Sequence, residues 1–153
     1  MHKIVRLTGA TNCVEMGTCL GISASYLAAA LPEGGRLVTM EGSPGVADIA
    51  TDTLRTLVPG RAVEIRRGPF HETLNVVLRE MSPIDFVFVD GHHEEQATEQ
   101  YFRQLLPNMQ QNGVIVFDDI RWSPGMKKAW SHIRAQAPGV CVDLGTLGLV
   151  LLP

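Results

Sequence analysis

The sequence predicts an α/β fold, a doubly wound and mainly parallel sheet that closes with a C-terminal antiparallel hairpin. Three observations predict it. Short apolar runs of strand length alternate with longer amphipathic stretches through most of the chain. A glycine-bearing turn follows the first strand-like run almost at once. Near the end, Val140–Leu144 and Leu149–Leu152 flank the short turn Gly145-Thr146-Leu147-Gly148, which is a hairpin signal.

The elements follow in order. Strands are expected at Asn12–Met16, Arg36–Met40, Ala62–Arg66, Ile84–Val89 and Val114–Phe117, several of them continuously apolar, as strands covered on both faces should be. Helices are expected at Ile22–Leu31, Gly45–Leu57, Glu72–Met81 and Glu94–Gln111, the last bent or ended near Pro107. Helix stops stand at Pro32-Glu33-Gly34-Gly35, Pro59-Gly60 and Asn112-Gly113. A further helix, Met126–Gln136, leads past Pro138-Gly139 into the hairpin. Only about eleven residues precede Asn12, too few for a substantial helix before the first strand.

Composition narrows the function classes. At 153 residues the chain suits one domain with a real core. With 45% hydrophobic and 19% charged residues it is not a disordered chain. A net charge of −3 speaks against a nucleic-acid partner, and the basic residues are scattered, with Arg66–Arg67 and Lys127–Lys128 as mere doublets on solvated faces. Cys13, Cys19 and Cys141 fit no zinc or CxxC spacing; they suit reduced thiols, with Cys13 and Cys141 as small core residues. No apolar run is long enough to span a membrane, and a cytoplasmic protein is expected.

The first turn reads Glu15-Met16-Gly17-Thr18-Cys19-Leu20-Gly21. It lacks the second glycine of a dinucleotide fingerprint, where Cys19 stands, and the lysine of a P-loop. Glu-x-Gly-x-x-x-Gly permits close backbone approach but carries a negative charge that a polyphosphate would oppose. Glu41, at the end of the second strand in "LVTMEGSP", is placed to accept both hydroxyls of a ribose; the alternative is an ordinary loop carboxylate ahead of Pro44.

Taken together, these segments resemble class I S-adenosylmethionine-dependent methyltransferases, specifically the small O-methyltransferases of the catechol and caffeoyl-CoA type and their bacterial relatives. "VEMGTCLGISASYLA" is similar to their first motif, "TMEGSP" to their acidic ribose loop, and "RRGPFHETL" to the segment that passes the adenine. The resemblance runs from about Asn12 to Trp122. It implies a Rossmann-like methyltransferase sheet and a donor site made by Glu15, Gly17, Thr18, Gly21, Glu41, Gly68, Phe70 and Asp90. A cationic sulfonium in place of pyrophosphate makes the acidic turn chemically sensible. His71, beside Phe70, is expected as a polar wall, and Tyr26 as packing.

Asp90 ends the fourth strand in "IDFVFVDGHHEEQ", and Asp118 and Asp119 end the fifth in "GVIVFDDIRW". Three carboxylates at neighbouring strand ends, with no lysine or arginine directly beside any of them in the chain, repel one another unless a cation screens them. Oxygen-only ligation suits Mg²⁺ or another hard divalent cation. The resemblance makes Asp90, Asp118 and Asp119 the metal ligands, with Asp119 where the relatives carry asparagine. The alternative is that these aspartates cap turns. His93 stands where the metal-dependent enzymes carry a catalytic lysine, so His93 with Asp90 would activate the acceptor hydroxyl. His92 is expected to be a bystander, and Trp122 to border the acceptor pocket or pack a loop.

The expected activity is transfer of a methyl group to a hydroxyl of a small molecule. Nucleic acid and membrane are not expected as partners. The resemblance also implies lid helices ahead of the first strand, which this single domain lacks. Cover would then come from a partner subunit in a homodimer, from a large acceptor, or not at all in a weakly active form. The rival outside catalysis is a non-catalytic or partner-dependent S-adenosylmethionine-binding module.

Overall fold

A computed structural model describes residues 1–153. Seven strands make a mixed sheet, parallel except at its C-terminal strands. The chain divides into two compact units, Met1–Met81 and Ser82–Pro153.

The first unit runs α1 (His2–Thr8), β1 (Asn12–Met16), α2 (Ile22–Ala30), β2 (Arg36–Glu41), α3 (Pro44–Leu57), β3 (Ala62–Arg67) and α4 (Phe70–Met81). The strands pair in parallel, β1 with β2 and β2 with β3, so Glu15 lies opposite Thr39 and Met40 opposite Arg66. Cys13, Val14 and Met16 of β1 and Leu37 and Met40 of β2 are buried, as the near-continuous apolar runs require. α2 covers them with Ala24, Leu27 and Ala28, and α4 contributes Leu74, Val77 and Leu78 to the same unit's core. Proline opens α3, where a missing N–H costs nothing.

One element here was not legible. His2–Thr8 forms a two-turn helix that buries only Val5 and ends on Gly9 in the left-handed conformation. Seven residues with one inward side chain carry no measurable periodicity. Tyr26, expected as packing, is instead 61% exposed on α2.

The second unit runs β4 (Ile84–Val89), α5 (Glu95–Leu105), a 3₁₀ turn (Leu106–Asn108), β5 (Met109–Phe117), α6 (Pro124–Gln136), β6 (Val140–Asp143) and β7 (Gly148–Leu151). β4 and β5 are parallel, while β7 is antiparallel to both β5 and β6, which is the expected hairpin. The helix expected to reach Gln111 stops at Leu105, because Pro107 has no N–H to continue it. Met109 already pairs with Ile84, and the register shifts before Val114 meets Phe86. Asn112, with φ 61°, sits in that irregularity and donates its N–H to the Pro153 carbonyl. The polar Gln110-Gln111-Asn112 therefore belongs to a distorted strand rather than to a helix end. Cys141, expected in the core, is only half-buried on β6, whereas Cys13 is fully enclosed; none of the three cysteines forms a disulfide.

The second unit's core is aromatic. Phe102 and Phe117 meet edge to face at 6.3 Å, and Phe117 and Trp130 lie 6.3 Å apart. The benzo edge of Trp130 rests on Gly148, where a Cβ would come within 2.7–2.8 Å of three ring carbons. Gly148→Ala should therefore destabilise the protein by about 1–3 kcal/mol. Urea unfolding at unchanged slope but lower midpoint is the expected result, and an unchanged midpoint would contradict this packing.

Candidate functional site

In the first unit the candidate residues converge on the turn between β1 and α2. Glu15 is wholly buried, and a buried carboxylate needs donors. The Thr39 hydroxyl donates to Glu15 Oε2 at 2.6 Å and lies 2.6 Å from the Thr18 hydroxyl. A threonine has one hydroxyl proton, so the direction is fixed: Thr18 donates to Thr39, and Thr39 to Glu15. All three side chains are excluded from water. Thr39 was not singled out from the sequence, although its parallel register with a buried glutamate is the signal that would have found it.

Above this relay the turn is hung from β2. The N–H groups of Gly17 and Thr18 donate to the Met40 carbonyl at 3.1 and 3.0 Å. Gly17 has φ 107°, a conformation that side chains rarely adopt. Gly21 begins α2 with φ 82°, and a Cβ there would lie 3.2 Å from the Ala50 carbonyl of α3. Its absence lets the two helices approach.

Glu41, at the end of β2, closes the turn. Its Oε2 accepts from the Cys19 N–H at 2.9 Å, and its Oε1 from the Ser43 N–H at 2.9 Å. The Glu41 carbonyl accepts from Gly68 N–H at 2.9 Å, which ties in the corner between β3 and α4, where Phe70 is half-buried. Each carboxylate oxygen keeps capacity for a second donor. His71, one residue on, is exposed.

In the second unit Asp90, Asp118 and Asp119 do come together. The Asp118 N–H donates to the Val89 carbonyl at 2.9 Å, which sets the end of β5 beside Asp90. Asp118 Oδ1 in turn accepts from the Asp119 N–H at 2.7 Å. Burial, and then the neighbouring Asp118 and Asp119 charges, push the Asp90 carboxyl above its ordinary range, against a lowering from His93. His93 Nε2 stands 3.6 Å from Asp90 Oδ1. No lysine or arginine pairs with the three aspartates; Arg121, two residues after Asp119, turns to Asp143 instead.

His92 is exposed and packs against Tyr101. Its Nδ1 hydrogen-bonds to the hydroxyl of buried Tyr101, and the two rings stack at 5.9 Å and 6°. His92, His93 and Asp119 all have left-handed backbone, φ 67°, 44° and 53°. Such strain persists only where the surroundings impose it. Trp122 lies outside this group of contacts: its N–H donates to the Asp119 carbonyl at 2.9 Å, but 73% of the residue is exposed.

Each unit thus carries its functional turns at the carboxyl ends of parallel strands, the ligand-bearing edge of doubly wound α/β proteins. A methyltransferase-domain family model matches residues 14–120. The chain belongs to the methyltransferase domain family. A catechol O-methyltransferase from Niastella koreensis is 30% identical over 121 residues, which cover 78% of this chain and 54% of that protein. A caffeoyl-CoA O-methyltransferase from Petroselinum crispum is 25% identical over 126 residues, covering 80% and 52%. The chain spans about half the length of the curated relatives it matches. Among solved structures, an O-methyltransferase from Bacillus cereus in complex with SAH superposes with TM-score 0.86 at 28% identity, over 98% of this chain and 78% of that one. TomG, a SAM-bound O-methyltransferase from Streptomyces achromogenes, gives 0.84 at 25%, over 99% and 78%. The fold is the Rossmann-like methyltransferase sheet.

The three aspartates offer oxygen donors only, partly buried, with His93 as their basic neighbour; the side chains whose ligand atoms lie within 4.8 Å of one another are instead Glu95, Glu99 and His132. The raised Asp90 carboxyl has a consequence for stability. The native group holds its proton more tightly than the unfolded one, so stability falls as pH rises through the native pKa, and no loss is felt below the unfolded pKa. Solvent reaches a third of the Asp90 side chain and screens the effect, which is about 1 kcal/mol at most. Without divalent cations, Asp90→Asn should raise the melting temperature by up to about 2–4 °C at pH 8 and by less at pH 4. A lower melting temperature for the variant at pH 8 would contradict this electrostatic account.

Proposed function

We propose that this chain is an S-adenosylmethionine-dependent O-methyltransferase that acts on a hydroxyl of a small molecule and is assisted by a divalent cation. The observation that carries the reading is the partly buried group of Asp90, Asp118 and Asp119 with His93 beside it. A module that only binds the donor needs none of these residues.

The first unit's residues would hold the donor. Glu41 offers its remaining lone pairs to two ribose hydroxyls, while its bonds to Cys19 and Ser43 keep it aimed. The turn from Gly17 to Gly21 lets the methionine end pass close to the backbone, and its acidic character suits a sulfonium. Gly68 and Phe70 would flank the adenine.

The second unit's residues would hold and deprotonate the acceptor. Asp90, Asp118 and Asp119 would ligate the cation, which supplies Lewis acidity that lowers the pKa of a bound hydroxyl. His93 would take the hydroxyl proton as the oxygen attacks, and Asp90 would orient the imidazole. Methyl transfer breaks the sulfur–carbon bond and forms an oxygen–carbon bond in line; the sulfonium leaves as a neutral thioether. Positioning therefore carries most of the rate. Hydroxyls of catechol acidity are the most readily activated, so a small phenolic acceptor is proposed, with Trp122 along its path.

Three cysteines outside any disulfide suit a reducing compartment, and we assign the protein to the cytoplasm. No helix is long and apolar enough to cross a membrane. A net charge of −3 speaks for a small acceptor over nucleic acid.

Incubation with S-adenosylmethionine, Mg²⁺ and a panel of catechols should yield monomethylated product, detected by mass spectrometry and suppressed by EDTA. His93→Ala should lower kcat by about 10²–10⁴-fold with donor affinity unchanged. Donor binding without methylation of any hydroxyl in the panel would overturn the O-methyltransferase reading and leave a donor-binding module.

A further inference from the structure

Three of the basic residues that look scattered along the sequence are gathered at one place in the second unit. Lys127, Trp130 and Arg134 recur at i, i+3 and i+7 along one face of α6. With Ile120, Arg121 and Asp143 they line a cavity of about 350 Å³. Such a volume falls in the range of roughly 300–1,000 Å³ typical of small-molecule sites. Because β6 and β5 are both antiparallel to β7, Asp143 lies at the same edge of this unit's strands as Asp118. The two places differ in sign. Three aspartates meet at one; at the other, three cations face a single carboxylate.

That carboxylate does not neutralise the cavity. Asp143 is engaged by Arg121, whose Nη2 donates to both its oxygens at 3.0 and 3.1 Å, and by the Gly145 N–H at 3.0 Å. These bonds, the Gly145 one foremost, hold Asp143 below the usual carboxylate range. No carboxylate closes on Lys127 or Arg134, so two positive charges remain in excess in a chain whose net charge is −3.

A second, independent feature points the same way. Trp130 is 5% exposed, with its benzo edge fixed on Gly148. Its indole N–H is buried on the Asp143 side, where that carboxylate draws on it at less than full hydrogen-bonding geometry. The Ile120 and Trp130 side chains give the same cavity an apolar wall, which inorganic phosphate alone would leave uncovered.

We propose that this cavity is a binding site for a small aromatic anion, a phosphate or carboxylate carried on a flat ring. The oxyanion sits between Lys127 and Arg134, and the ring lies against the Ile120 and Trp130 wall. The assignment uses residues of the second unit alone and does not depend on methyl transfer.

The test uses the full chain carrying Trp122→Phe, which leaves Trp130 as the sole tryptophan of the original two. Phenyl phosphate, phenol and inorganic phosphate are titrated while Trp130 fluorescence is followed. Phenyl phosphate should change the emission saturably, inorganic phosphate should bind at least tenfold more weakly, and phenol should give no saturable change. Lys127→Gln and Arg134→Gln, both at exposed positions, should each weaken phenyl phosphate at least tenfold with unchanged circular dichroism. No saturable response to phenyl phosphate, or one that both variants retain, would overturn the assignment. Equal binding of phenol would overturn it too, because the site would then be apolar rather than anionic.

Discussion

Two backbone N–H groups converge on one carboxylate at the end of β2, and the turn proposed as the donor half of the site depends on that junction. Glu41 takes Cys19 on one oxygen and Ser43 on the other, each at 2.9 Å. Hydrogen bonds to a charged group contribute about 1.5–3 kcal/mol each, more than neutral ones. They hold Cys19 in a left-handed conformation, φ 46°, that a residue with a side chain would otherwise avoid. The turn is fixed from below as well, through the Met40 carbonyl and the buried relay from Thr18 through Thr39 to Glu15. An acidic loop proposed to receive a ligand is thereby braced in advance, which would remove ordering costs from binding.

The second unit applies the same logic to charge. Its strand ends concentrate three aspartates with only His93 as a basic neighbour, while Arg121, one step beyond Asp119 and Ile120, is drawn off to Asp143. Burying a carboxylate beside like charges costs stability, and the Asp90 carboxyl, raised first by burial and then by Asp118 and Asp119, is the sign of that cost. The backbone records it too. Five non-glycine residues have positive φ, and four of them, Cys19, His92, His93 and Asp119, stand in the turns that carry the candidate chemistry. Strain of this kind marks functional turns because nothing in packing alone requires it.

Most of the fold was legible because buried parallel strands leave long apolar runs; β1 and β4 fall where the runs put them, at Asn12–Met16 and Ile84–Val89. Legibility failed where few side chains face inward. α1 buries one residue, and the polar start of β5 lies in a register irregularity. The candidate residues themselves were legible as chemistry at strand ends, since Glu41, Asp90 and Asp118 each follow an apolar run. Their supports were not. Thr39 and Tyr101 act across 24 and 9 residues of sequence, and the cations of α6 meet Arg121 and Asp143 only once the hairpin has folded. Contacts of that kind have no local signature.

The central claim is that Glu41 and the turn it braces form a donor site. Calorimetric titration of S-adenosylmethionine into the wild-type chain and into Glu41→Ala tests it most directly. The account predicts micromolar affinity for the wild type and a loss of about 100-fold or more in the variant, the equivalent of two charge-assisted hydrogen bonds. Equal affinity in a folded Glu41→Ala, or no binding by the folded wild type, would contradict it.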